Sequence, residues 1–455
     1  MAEFTPHAYQ QRAIEWIMEH PRCGLFMEMG LGKSICTLTA IQRLVDDLAV
    51  GRVLVIAPKT VAESTWSDEV AKWDHLNLTV SVLITRTAKQ RVKALNADAD
   101  IYVLGRDNVV WLLEQKERPR FDMVVLDELT SFKNHGSQRF KALKKLLPEV
   151  SRVVGLTGTP APNGLLDLWA QIYCLDGGKR LGPFITRYRE AYFQSIYHNN
   201  IPIKTWPKPG AEDAIMSRIS DICFTMKAAD YLELPPLTVT EVSVRMGAKE
   251  YEGYQKFERD RVMKFREEAK VSTVTATGAA ALVNKLSQYA NGCIYDEDGR
   301  EVPVHDAKIE TLFGLVEKAA SPVLCFYAFK HDLHRITDAA PKGMRVRQYT
   351  GASDLRDWNA GKIDLLLAHP AATAYGLNMQ AGGHVIVWFS TGWNLELYQQ
   401  ANARLHRQGQ RLPVNVYNLV CKGTVDRRMA DALTDKECSQ DSVIKKLAMN
   451  ICKSV

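Results

Sequence analysis

The chain of 455 residues has little that would send it out of a cell or into a membrane. No apolar run approaches the ~18 residues needed to cross a bilayer. The opening MAEFTPHAYQQ lacks the basic-then-apolar order of a signal peptide, so the expected location is the cytoplasm. Cysteines are few and unpaired in pattern. The nine fall at 23, 36, 174, 223, 293, 325, 421, 438 and 452, never with CxxC spacing. That argues against a zinc ribbon or a disulfide scaffold and predicts reduced, buried thiols. There is no low-complexity tail and no short tandem repeat. A hydrophobic fraction of 46% with 24% charged residues excludes wholesale disorder. The net charge of +6 permits a polyanionic partner without requiring one.

What is present is rhythm. The runs GLFM, RVLVIAP, LTVSVLI, DIYVLG, FDMVVLD and RVVGLTG are short and apolar, and segments of helical periodicity such as KSICTLTAIQRLVDDL separate them. Strands that read as continuous apolar runs, alternating with helices, call for a parallel sheet covered on both faces. The pattern predicts a doubly wound α/β domain over 1–235, with a mostly helical protrusion at about 162–234. Pro235–Pro236 reads as an extended connector. A second lobe over 236–455 opens with a helical protrusion at about 248–290. Alternation then resumes with PVLCFYAF, MRVRQYT, IDLLLAH, HVIVWFS and VNVYNLV. An amphipathic helix from about Val425 ends the chain.

Two motifs carry chemistry in the first lobe. GLFM runs into EMGLGKS and then a helix beginning at Lys33. Glycines let backbone amides turn toward phosphate oxygens, and a helix N-terminus adds its dipole. Met29, Gly30, Leu31, Gly32, Lys33 and Ser34 would cradle the phosphates, Lys33 reaching the β/γ groups and Ser34 holding Mg2+. Met27 occupies the place of the first glycine of the strict pattern, and an ordinary strand-to-helix turn is the plain alternative. Further on, MVVLDELTSFKN brings Asp127 and Glu128 to the carboxyl end of an apolar strand. There Asp127 suits a Mg2+ anchor and Glu128 a group that polarises the attacking water. An acidic pair at that place also suits a helix N-cap.

With these motifs the sequence resembles superfamily-two helicases and, among them, the Swi/Snf-like ATPases, whose fold is a pair of RecA-like lobes. MEMGLGKS is similar to the family's DEMGLGKT. AYQQ places Gln10 at its adenine-reading glutamine, and VLVIAPKTV resembles a segment that contacts the DNA backbone. The spacing of Trp66, Glu69, Lys72 and Trp73 in TWSDEVAKW is characteristic of this branch, and DELTSFKN resembles DEAHRLKN. LTGTPAPN carries Thr157, Gly158, Thr159 and Asn163, and NGLLDLWAQIYCLD looks like the entry to the first protrusion. In the second lobe, PVLCFYAFKHDLHRI, YGLNMQAGGHVIVW and WNLELYQQANARLHRQGQ match the fourth, fifth and sixth motifs, the matched order running from about Tyr9 to Met429. The fourth-motif match accounts for His331, Asp332 and His334 without a metal, and HGSQ at His135 lacks the form of a nucleophile elbow.

The resemblance implies an ATP-dependent motor on double-stranded DNA, with ATP and Mg2+ as cofactors and hydrolysis at a cleft between the lobes. Lys33, Asp127, Glu128, Arg404 and Arg407 are the implied catalytic set. Arg404 and Arg407, three apart, would share a helix face and supply guanidinium groups to the γ-phosphate, where a solvated basic helix is the alternative. Gly376 joins the nucleotide set, and Thr157, Gly158, Thr159 and Gln400 the coupling set. DNA contacts fall to Lys59, Thr60, Arg106, Asn134, Asn163, Asn378 and Trp393, although Asn163 also suits a helix cap and Trp393 a core position. Trp206 and Tyr231 read as packing. The implied setting is a monomeric motor in a bacterial or phage-infected cell, any nuclease or replication or recombination partner being a separate chain. A strand-separating DNA or RNA helicase is the second reading, and a non-hydrolysing DNA-binding scaffold the third.

Departures from the family pattern are local. Ala372, Thr373 and Ala374 precede Tyr375–Gly376 where the fifth motif has AGGxG, which looks like small phage or bacterial members. Phe224–Lys227 replaces the paired arginines of remodellers, and no bromodomain, chromodomain or RING insertion is recognisable.

Overall fold

Side chains that are apolar on every position of a strand can be buried only if both sheet faces are covered, and both large sheets are built this way. The computed structural model describes residues 2–158, 160–161, 164–198, 201–226, 231, 234–271, 276–373, 377–392 and 394–434. The chain divides into two units, Met1–Glu233 and Leu234–Val455. No helix among the described residues is long and apolar enough to cross a membrane.

Among the described residues the first unit has nine strands: β1 (Arg22–Met27), β2 (Val53–Ala57), β3 (Val80–Val82), β4 (Ile101–Gly105), β5 (Met123–Asp127), β6 (Arg152–Thr157), β7 (Phe193–His198), β8 (Ile201–Pro207) and β9 (Cys223–Met226). Seven of them form one sheet in the order β3-β4-β2-β5-β6-β1-β9, and every pairing is parallel. Leu54, Ile56, Val124 and Leu126 are wholly buried, and helices supply Phe140, Leu143 and Trp169 to the same core. Fully burying one such aliphatic side chain stabilises by about 1.5–3 kcal/mol.

The described residues of the second unit have eight: β10 (Leu237–Val244), β11 (Cys293–Tyr295), β12 (Glu301–Pro303), β13 (Val323–Phe326), β14 (Val346–Gln348), β15 (Leu365–Ala368), β16 (Val385–Trp388) and β17 (Val414–Cys421). Six form a second all-parallel sheet in the order β10-β17-β16-β13-β15-β14. Separate hydrophobic clusters form around Val323, Cys325 and Val387 and around Leu324, Phe326 and Trp388, because successive strand residues face opposite ways. Each unit is thus an α/β lobe built on a parallel sheet, as the alternation of strands and helices predicts.

One local expectation needs correction. The 162–234 region is not mostly helical: besides the helices Leu168–Asp176, Ile185–Tyr192 and Ala211–Ile219 it contains the antiparallel hairpin β7–β8. Its strands are rich in β-branched and aromatic residues, which favour a pleated surface over a helix. Within the same region β9, which takes in Phe224–Met226 of the FTMK segment, is the seventh strand of the sheet, paired with β1. After the double proline, β10 is a strand at the sheet edge, paired with β17 over Leu237–Val244. The helices Ala248–Val271 and Ala276–Ala290 follow it. The last described helix is Val425–Thr434.

All seven described cysteines are free and buried. Burial pushes the Cys36 and Cys23 thiols up to about 12, so they pack as small apolar groups. Among the described residues no group of His, Cys, Asp and Glu is placed to hold a metal ion by itself.

A buried polar knot ties the second lobe together. Lys308, on the helix Ala307–Ala319, lies 2.6 Å from Asp426 on the helix Val425–Thr434. It also donates to Asn291 Oδ1 at 2.8 Å and to the Phe389 carbonyl at 3.1 Å. Asn291 in turn donates to both oxygens of Asp332. Removing one partner of such a pair strands a charge in low dielectric, at a cost of about 3–5 kcal/mol. Lys308→Met is therefore expected to lower second-lobe stability by about that amount in urea denaturation, and adding Asp426→Leu to recover most of the loss.

His305 predicts the pH response of this lobe. Burial pushes its pKa down to about 4, against the Tyr289 carbonyl that its Nε2 meets at 2.9 Å, and Lys308 and Arg335 add to the lowering. The folded state prefers neutral imidazole, so its stability is complete above the ordinary 6.5 and falls as the unfolded chain takes up the proton. Between pH 6.5 and 4 about 3 kcal/mol should be lost. His305→Gln should flatten that stretch of the stability profile, measured by urea midpoints at stepped pH.

Candidate nucleotide site and its neighbours

Strand order makes the first half of the site. β5, β6 and β1 are adjacent, with Asp127 opposite Leu156 and Phe26 opposite Thr157. The segments leaving their carboxyl ends therefore emerge side by side. One is the loop after Met27, the second begins at Asp127–Glu128, and the third at Thr157–Gly158.

The loop turns through Gly30 and Gly32, with φ of 88° and 83°, values that side chains with a Cβ rarely adopt. Gly32 caps the helix Lys33–Asp46. The Lys33 ammonium folds back over the loop, donating to the Met27 carbonyl at 2.8 Å and the Glu28 carbonyl at 3.4 Å. Met29, Gly30 and Ser34 are half-buried, while Leu31 is buried and anchors the turn. Gln10 braces the loop from outside. Its Oε1 accepts from the His7 amide at 3.0 Å and its Nε2 donates to the Leu31 carbonyl at 3.3 Å. A Cβ on Gly32 would stand 2.6 Å from that Nε2 and displace the brace, while the positive φ is what favours glycine there.

Asp127 ends β5 with a partly exposed edge. Burial raises its carboxyl pKa, while a hydrogen bond from Trp66, the Lys33 charge and the Glu128 amide oppose the rise. That bond is 3.0 Å from the Trp66 indole Nε1 to Oδ2. Glu128 takes the left-handed conformation, φ 57° and ψ 66°, unusual for a residue with a side chain. Thr157 is wholly buried, and Gly158 leaves open the space beside the loop. A Cβ at Gly158 would lie 3.3 Å from Met29 Cγ and 3.6 Å from Lys33 Nζ. A cradle kept clear by glycine, with one ammonium and two hard oxygen donors (Ser34 and Asp127), fits a polyphosphate with Mg2+.

The second lobe holds another cluster. Arg404 donates through Nη1 to the Leu377 carbonyl at 3.3 Å, and Arg407 through Nη1 to the same carbonyl at 3.0 Å. Arg404 Nε also donates to the Gln400 carbonyl at 2.9 Å. Arg404 and Gln400 are buried. The expected shared helix face is not what joins the arginines. The helix Leu395–Asn402 ends before them, and the turns leading to Gly409, φ 94°, carry both back to Leu377. Gln410 locks these turns by donating to the carbonyls of Gln380, Gly383 and Leu405.

Of the residues read as DNA contacts, Lys59, Thr60, Asn134 and Asn378 are exposed. Lys59 lies 3.8 Å from Glu63, and Asn134 Oδ1 accepts from the Gly136 amide at 3.0 Å. Arg106 is half-buried and donates to Ser131 Oγ at 2.7 Å. Thr159, Asn163, Gly376 and Trp393 lie outside the described residues. Tyr231 is 45% exposed, its ring 5.3 Å from that of Tyr9. The residue whose role the sequence reading missed is Trp66. Its place in TWSDEVAKW singled it out, but spacing alone gives no partner across the fold. Its neighbours there form a second group, with the Trp73 indole donating to Glu69 at 2.8 Å and Lys72 lying 4.4 Å above the Trp73 ring.

Comparison with known proteins identifies the family. Residues 9–294 match the SNF2-related domain. The chain is 36% identical to "Putative protein p41" of Acyrthosiphon pisum secondary endosymbiont phage 1, over 98% of this chain and 99% of that protein. It is 25% identical to an uncharacterized ATP-dependent helicase of Mycoplasma pneumoniae, covering 97% of this chain but only 42% of the mycoplasma protein. A solved Sulfolobus solfataricus SWI2/SNF2 ATPase core in complex with dsDNA aligns with 99% of this chain and 95% of that one, at 20% identity and a TM-score of 0.47. The chain belongs to the SNF2-related family and is a helicase-type ATPase core.

Proposed function

We propose that this ATPase is a motor that translocates on double-stranded DNA and remodels protein–DNA complexes or branched DNA. The observation that carries the reading is the division of parts. The phosphate loop, Asp127–Glu128 and Thr157–Gly158 share one sheet edge in the first lobe, and Arg404 and Arg407 converge on Leu377 in the second.

In this reading Gln10, Met29, Gly30, Leu31 and Gly32 seat the nucleotide, Gly376 of the second lobe joins them, and Lys33 leaves its loop carbonyls for the β/γ-phosphates. Ser34 and Asp127 would hold Mg2+, which when bound would neutralise phosphate charge. Glu128 orients a water and accepts its proton as the water oxygen bonds to the γ-phosphorus and the bond to ADP breaks. Arg404 and Arg407 serve the same γ-phosphate in the ATP-bound state, a contribution of ~10³–10⁵ in rate for arginine fingers. Thr157, Gly158, Thr159 and Gln400 couple that chemistry to movement of the lobes. Lys59, Thr60, Arg106, Asn134, Asn163, Asn378 and Trp393 follow the DNA backbone, since tracking without sequence preference uses phosphates rather than base edges. The motor acts as a monomer in the cytoplasm of a bacterium or phage-infected cell, with any nuclease or replication or recombination partner in trans.

ATP hydrolysis measured with and without blunt duplex DNA tests the reading. Duplex should stimulate turnover more than single strands or RNA do. Lys33→Ala should abolish turnover. Arg407→Ala should lower stimulated turnover at least ~10³-fold while nucleotide binding stays nearly unchanged. Normal turnover in Arg407→Ala, or preference for RNA, would defeat it.

A further inference from the structure

Trp66 joins the segment read as the DNA contact to the acidic pair. Directly after Lys59 and Thr60 the chain makes one turn of π-helix, Val61–Thr65, before the helix that begins at Trp66. Wide i→i+5 turns are rare and concentrate at functional sites. Here the turn is held from both sides. Val61 and Ala62 are buried, and the Ala62 amide donates to the Pro58 carbonyl at 2.9 Å. On the outer side Lys59 reaches Glu63, a member of the turn, at 3.8 Å. Lys59 is 72% exposed and Glu63 47% exposed, so a phosphate can approach the same ammonium. Beyond the turn the indole of Trp66, 1% exposed, ends on Asp127 Oδ2.

Nothing in packing alone requires this bond, since the ring would fill the same space without its N–H. The bond occupies one carboxylate oxygen and orients the other. A second link runs in parallel, because Arg106, at the end of β4, donates to Ser131, four residues beyond Asp127. Two elements carrying candidate DNA contacts are thus hydrogen-bonded to the segment carrying Asp127 and Glu128.

We propose that Trp66 is a positioning residue for Asp127 whose hold on the carboxylate depends on DNA phosphate at Lys59–Thr60. A phosphate competes with Glu63 for Lys59, the π turn loses its outer tie, and the indole shifts on Oδ2. The proposal rests on the duplex-DNA reading above and deepens it by naming the route from the DNA segment to the site.

The test uses the full chain and the nine tryptophan indole N–H signals in a nitrogen-15 correlation spectrum. Trp66→Phe deletes one signal and so assigns it. Titration with a duplex oligonucleotide, without nucleotide, should move that signal. Glu63→Gln should move it toward the DNA-bound position before any DNA is added. Trp66→Phe should lower duplex-stimulated turnover about tenfold, the scale of a lost hydrogen bond to a charged group. It should also raise the Mg2+ concentration for half-maximal turnover, while duplex affinity stays within about twofold, since the phosphate-facing residues are untouched. If Trp66→Phe does not fold, Glu63→Gln, which removes no buried contact, still gives the decisive shift. A Trp66 signal unmoved by saturating bound duplex overturns the relay alone. If no duplex binds, the DNA reading falls and the relay falls with it.

Discussion

Everything in the first lobe that bears on nucleotide depends on one constraint: β5, β6 and β1 lie side by side and run the same way. Parallel strands deliver their outgoing loops to one edge, so three segments far apart in the chain converge there. Glycine then sets how closely they meet. Gly32 admits the Gln10 amide, and Gly158 keeps clear the space beside Met29 and Lys33. The candidate nucleotide-facing groups are placed by backbone, and their side chains need only short reach.

The second lobe solves a similar problem differently. Its arginines leave a helix that has already ended, and they are gathered by the Leu377 carbonyl and by Gln410. A shared backbone acceptor thus brings the two guanidinium groups to one place in the lobe. Elsewhere in this lobe the Lys308–Asp426 pair and its Asn291–Asp332 extension tie helices to the segment leaving β16.

Much of this was legible in the sequence because it is written in patterns that act locally. Continuous apolar runs ending in Asp, Gly or Pro mark buried parallel strands, and GLGKS after such a run marks the loop. Segments whose state depends on distant partners were not legible. The exposed strand β10 has no apolar run and gains its place from β17. Likewise, β9 is a strand because β1 offers it an edge. Arg404 and Arg407 show helical spacing, yet their convergence comes from turns after the helix. Trp66 stood out by spacing, but its bond to Asp127 spans 61 residues and no local rule reports it.

The central claim is motion along intact duplex, and displacement of a third strand from a DNA triplex measures it most directly. ATP should drive release of the third strand from a triplex placed at the end of a blunt duplex arm, with the duplex itself left paired. Separation of the duplex strands, or no release although DNA-stimulated hydrolysis continues, would contradict the account.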